Sequence, residues 1–178
     1  KLLIKSKNVD LILCAGDISN WSINLEKILR IFKKTNKIFL IIPGNHETDE
    51  GLKFLCKKYK LVYIHKLVYS IDDYLFFGFG GGGFSYIDKE FEKISNKILK
   101  KLKGKKFILL THAPVYNTKL DYLPWVGHSG NKSIRKFIEK ARPILAICGH
   151  FHENEGKIDA IGSTKIINPG RKGKILTI

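Results

Sequence analysis

Short apolar runs alternate with amphipathic segments along the whole chain, and this alternation is what most narrows the folds open to it. Val9 to Ala15 reads as a buried strand, and Leu25 to Lys34 follows as a helix with Leu25, Ile28, Leu29 and Phe32 on one face. Ile38 to Ile42 is the next buried strand, Asp49 to Lys58 a short helix, and Leu61 to Ile71 with Tyr74 to Phe79 form strands about the turn Asp72-Asp73. A helix from Ile87 to Leu102 precedes the strand Phe107 to Leu110. A long loop with Pro114, Pro124 and Trp125 then leads to a helix at Ser133 to Ala141 and a strand at Ile144 to Cys148. The tail reads as short strands near Lys157 to Ile161, Lys165 to Ile167 and Lys174 to Ile178, set between Gly and Pro turns. No repeat or linker interrupts the pattern, so a single α/β domain over residues 1–178 is expected.

Composition removes several function classes. No apolar run approaches the roughly 18 residues of a membrane helix, and the charged start KLLIKSKNVD leads into a run too short for a signal peptide. A cytoplasmic protein is therefore expected. Cys14, Cys56 and Cys148 have no CxxC spacing, which argues against a disulfide framework or a thiolate zinc site; Cys14 and Cys148, inside apolar runs, read as packing residues. The formal charge of +16 is compatible with nucleic-acid binding. That charge is nearly all Lys, scattered over helix faces, with only Arg30, Arg135, Arg142 and Arg171 for bidentate contacts, so a nucleic-acid partner is not favoured. The densest run, Lys100 to Lys106, reads as a solvated helix end.

Four of the apolar runs end alike. Each stops at a loop bearing a side chain able to ligate a metal: Asp17, Asn45 with His46, His112, and His150 with His152. Ligand sites in α/β sheets lie beyond the carboxyl ends of the strands, so the four loops are expected to converge. One carboxylate, one amide oxygen and several imidazoles, without thiolate, suit Mn, Fe, Ni or Zn rather than Ca. A carboxylate bridging two ions about 3.5–4 Å apart would set up in-line displacement at phosphorus.

Gly16-Asp17, Gly44-Asn45-His46-Glu47, Thr111-His112-Ala113-Pro114 and Gly149-His150-Phe151-His152 stand in this order. In these motifs the sequence resembles the calcineurin-like metallophosphoesterase superfamily over essentially its whole length. Asn168-Pro169-Gly170 adds a likeness to its small phosphodiesterase branch. The resemblance implies a four-layer αββα sandwich of two mixed sheets flanked by helices. It also implies two divalent ions, manganese foremost, and hydrolysis of a phosphate ester, a diester by preference, through a hydroxide bridging the metals. It makes Asp17 the bridging carboxylate, gives Asn45, His112 and His150 to the second ion and His152 to the first, and makes His46 the general acid. Glu47 is expected to support its loop.

One departure bears on the first ion. The family's Asp-x-His motif should lie upstream of Gly16-Asp17, yet only 16 residues precede Asp17 and they hold Asp10 but no His. The chain also begins with Lys and contains no Met, so an N-terminal strand carrying that motif is expected to be missing. A binding scaffold without catalysis, and a nuclease subunit using the positive charge, are the alternatives. Gly78 to Gly83 matches GxGxxG formally but lacks an acidic residue about 20 positions on and sits mid-chain; it reads as a place of close backbone approach beside the site. His128 is a candidate contact to the substrate phosphate, and His65 is read as structural or exposed.

Overall fold

The computed structural model describes residue 5 and residues 8–178. From residue 8 onward, strands and α-helices follow one another as β1 (Leu11–Cys14), α1 (Leu25–Lys33), β2 (Ile38–Ile41), α2 (Asp49–Tyr59), β3 (Val62–Tyr63), β4 (Leu67–Ile71), β5 (Tyr74–Phe79), α3 (Lys89–Leu102), β6 (Lys106–Thr111), β7 (Tyr122–Leu123), β8 (Gly127–His128), α4 (Lys132–Ala141), β9 (Leu145–Ile147), β10 (Ile158–Ile161) and β11 (Thr164–Ile167). Strands β1-β2-β3 form a parallel three-stranded sheet. The order β10-β11-β9-β6-β5-β4 forms a six-stranded sheet, parallel at its centre and antiparallel at both margins.

Successive side chains of a strand point to opposite faces, and here each face finds its own layer. Phe39 and Ile41 of β2 pack with Leu25, Leu29 and Phe32 of α1 and with Leu52 and Cys56 of α2. Their neighbours Leu40 and Ile42 face the other way, against Phe76, Ile108, Leu110, Leu145 and Ile147 of the larger sheet. The opposite face of that sheet sends Phe77, Phe107 and Leu109 against Phe91 and Leu102 of α3 and Phe137 and Ile138 of α4. Three apolar layers therefore separate four strata, helices, sheet, sheet and helices, which is the αββα sandwich. Cys56 and Cys148 are buried in these layers as packing residues, and burial pushes their thiols up to about 12.

Helix starts follow local chemistry. Thr48, Asp88 and Asn131 cap α2, α3 and α4 by accepting from the amides of Gly51, Phe91 and Ile134. Two readings of the sequence need correction. Leu61 to Ile71 is not one strand: Lys66 takes a left-handed backbone (φ 61°), so β3 stays with the small sheet while β4 joins the large one. Lys174 to Ile178 forms no strand; Leu176 packs against the inter-sheet layer without a ladder. Among the described residues, no helix is long and apolar enough to cross a membrane.

Candidate metal centre

The loops after β1 and β2 in the small sheet and after β6 and β9 in the large one meet at a single rim. Asn45 Oδ1 lies 2.9 Å from His112 Nε2 and 3.0 Å from His150 Nδ1. His112 Nε2 is also 3.3 Å from Asp17 Oδ2. Ligand atoms of Asp17, His112 and His150 all fall within 4.8 Å of one another.

The backbone is shaped to bring them there. Asp17 (φ 50°) and His150 (φ 69°) both sit on left-handed backbone, a conformation that costs a non-glycine residue about 1–3 kcal/mol and persists only where its surroundings enforce it. A Cβ on Gly44 would stand 1.9 Å from Asp17 Oδ1, and one on Gly83 would stand 2.6 Å from the His150 ring. A Cβ on Gly80 would likewise collide with the Pro43 carbonyl, and with Gly83 against His150 the glycine run passes beside the site. Glu47, buried, gathers the amides of Asp17 (2.9 Å), Gly44 (3.0 Å) and Ser19 (3.0 Å) together with the Ser19 hydroxyl (2.8 Å), tying the first loop to the second. Asn168 donates to the Phe151 carbonyl and steadies the last loop.

The electrostatics ask for a cation. His112 Nδ1–H donates to the Ala15 carbonyl at 2.8 Å, so it is Nε2 that faces the oxygens of Asn45 and Asp17. Burial, with His112 alongside, holds His150 down at about 4, so its ring is neutral at ordinary pH. Its Nε2 is buried and has no hydrogen-bond partner among the described residues. Burial works to raise the Asp17 carboxyl, but the hydrogen bond and charge of His112 and the His46 amide bring it down to about 2. Carboxylate, amide oxygen and imidazoles crowd lone pairs into one place, and a divalent ion answers that crowding. The residues present fit such an ion.

The other predicted residues lie as follows. The amide of His46 donates to Asp17 Oδ1 at 3.0 Å, and its ring stacks on Trp21, centroids 4.6 Å apart and planes 11° from parallel. His152 is exposed on a 3₁₀ turn, His152–Asn154, outside the group of Asp17, His112 and His150. His128 is held by Asp121 at 2.7 Å and lines a separate cavity of about 610 Å³ with Asn117, Tyr122 and Lys157, which contains none of the clustered donors. His65 is buried, and its Nδ1 accepts from the Gly80 amide at 2.7 Å, fixing the glycine loop from beneath. Trp21 and the Gly80 anchor were not found from the sequence. Nothing local to Asn20-Trp21-Ser22 signals a partner on another loop.

A donor set of this kind, at the strand ends of an αββα sandwich, is the architecture of a metallophosphoesterase. The chain belongs to the calcineurin-like phosphoesterase family, whose model matches residues 1–154. It is 34% identical over 173 residues to an uncharacterised protein of Methanocaldococcus jannaschii, covering 92% of this chain and 78% of that one. It is 28% identical over 156 residues to a protein of Arcobacter nitrofigilis named probable glycerophosphodiester phosphodiesterase, spanning 80% of this chain and 56% of that relative. The crystal structure of TT1561 of Thermus thermophilus superposes with a TM-score of 0.74 at 16% identity, over 95% of this chain and 80% of that one.

Proposed function

We propose that this chain is a cytoplasmic metal-dependent phosphodiesterase whose site is built from Asp17, Asn45, His46, His112, His150 and His152 within a single domain. Family membership supplies phosphoester hydrolysis as the class of reaction, and the name of the Arcobacter relative supports a diester. The observation that carries the reading is the crowding of Asp17 Oδ2, Asn45 Oδ1, His112 Nε2 and His150 Nδ1, with His150 Nε2 buried and unpartnered beside them.

Asp17, Asn45, His112 and His150 would hold one divalent cation, and Asp17 with His152 would contribute to a second, manganese being the ion of choice. Such a pair supplies Lewis acidity to phosphoryl oxygens and acidifies water. The chain's own contribution is position and proton. Glu47 fixes the turn that presents Asp17 and Gly44, and Gly44 leaves room for the carboxylate. The His46 imidazole, held over the rim by its amide bond to Asp17 and by Trp21, gives its proton to the departing alkoxide oxygen.

The test is hydrolysis of bis(p-nitrophenyl) phosphate with added Mn²⁺. The protein is expected to turn this diester over, and His46→Ala to lose about 10²–10⁴-fold in rate while retaining bound Mn²⁺. Loss of the metal together with activity in that variant would contradict the role given to His46.

A further inference from the structure

Two large aromatic side chains flank the donor cluster, and burial in the core explains neither. Trp21 is 68% exposed and Phe84 78% exposed. Each nevertheless touches a ring of the site: Trp21 lies flat on His46, and the edge of Phe84 meets His150 with centroids 4.4 Å apart. Since Trp21 gives one face to His46 and is still largely exposed, its other face is open to solvent.

The backbone under Trp21 is unusual in the same sense. Trp21 (φ 51°), Ser22 (φ 62°) and Asn24 (φ 58°) are three non-glycine residues on left-handed backbone within four positions. The turn is closed by the Ile23 amide on the Asn20 carbonyl at 3.0 Å, and the Ser22 hydroxyl reaches the His46 carbonyl at 3.3 Å. Strain of this order at a single exposed turn, spent on holding an indole over a site imidazole, points to a role for the indole. Phe84 closes a run in which Gly81, Gly82 and Gly83 all have positive φ, and side chains at Gly81 or Gly82 would meet nothing, so beyond the His65 bond to Gly80 its ring is carried by a stretch with open space around it.

We infer that Trp21 and Phe84 are specificity residues that bind a flat aromatic group of the ester, so that the preferred substrates are phosphate esters carrying a nucleobase or comparable ring rather than aliphatic ones. The inference rests on the phosphoesterase reading for the position of the phosphate. It draws its own support from the two rings: stacking on an exposed indole is favourable for any flat π-system and indifferent to its hydrogen-bonding edges. An aliphatic alcohol would leave both faces wet.

The experiment is calorimetric titration of the Mn²⁺-loaded full chain with AMP, ribose 5-phosphate and inorganic phosphate, which needs no turnover. AMP is expected to bind on the order of tenfold more tightly than ribose 5-phosphate. Trp21→Ala should erase that difference while leaving phosphate affinity as it was, and Trp21→Phe should restore most of it; Phe84→Ala should give a smaller loss. Equal affinity for AMP and ribose 5-phosphate, absence of AMP binding, or a preference that survives Trp21→Ala would overturn the inference. A base preference without hydrolysis of any ester would refute the phosphodiesterase reading alone. Hydrolysis without base preference would refute the aromatic site alone.

Discussion

Asp121 with His128 and Asp17 with His112 are both carboxylate–imidazole pairs, and their difference separates a site from a staple. Asp121 is fully buried and fully answered: Oδ1 accepts from the Thr118 amide (2.8 Å) and His128 Nδ1 (2.7 Å), Oδ2 from the amides of Asn117 (3.0 Å) and Gly130 (2.9 Å). Those bonds close the loop between β6 and α4 on itself. Asp17 and His112 stand further apart, at 3.3 Å, with Asn45 Oδ1 shared between His112 and His150 and a buried ring nitrogen of His150 left over. A carboxylate beside an imidazole therefore marks nothing by itself. The surplus of unanswered lone pairs is what distinguishes the rim.

The sharpest way to break this contrast is Asp17→Asn, which keeps the shape of the side chain and removes its charge. Mn²⁺ binding by calorimetry is expected to become undetectable, because the remaining neutral donors cannot offset the ion's desolvation. Unchanged affinity would mean that the rim is no more a metal centre than the Asp121 loop. Asp121→Ala is the converse. It leaves the buried amides of Thr118 and Gly130 and the partly buried amide of Asn117 unpaired and should cost about 3–5 kcal/mol in urea unfolding, with Mn²⁺ affinity of the folded protein within a factor of two of the parent. A smaller effect comes from His65, another imidazole of the satisfied kind. Burial lowers it from 6.5 to about 4, and Nδ1 must stay unprotonated to accept from Gly80. Between those two values the unfolded chain binds the extra proton, so stability falls as pH drops from 6.5 toward 4 and levels off below. Relative to His65→Gln, the parent should lose roughly 2 kcal/mol between pH 7 and pH 5; parallel pH profiles would remove His65 from the satisfied class.

Much of this was legible in the chain because it is local. Apolar runs such as Phe39 to Ile42 identified the buried strands, and the abrupt change to Gly44-Asn45-His46 or Gly149-His150 marked where each strand stops. The helix from Lys89 was anticipated within two residues, because Asp88 caps it and Phe91 begins its apolar face. What escaped depends on partners distant in sequence. Lys66 carries no turn signal of its own; it bends because Ile64 is bonded to Ile41 of one sheet while Lys66 is bonded to Gly78 of the other. The β7–β8 hairpin, hidden in the loop that carries Pro114 and Pro124, forms over the Asp121 network. Trp21 reaches its position on His46 across 25 residues, through a turn that contains no glycine.

The rim draws two of its donors from each sheet, Asp17 and Asn45 from the small one, His112 and His150 from the large. Its dimensions are thus set by how deeply the two sheets nest, and that depth belongs to Leu40, Ile42, Ile108 and Leu110 in the layer between them. Trimming or enlarging one of those aliphatic groups would widen or narrow the gap the donors must span. Selectivity among cations of different radius is in this way adjustable from the hydrophobic interior, without exchanging any ligand.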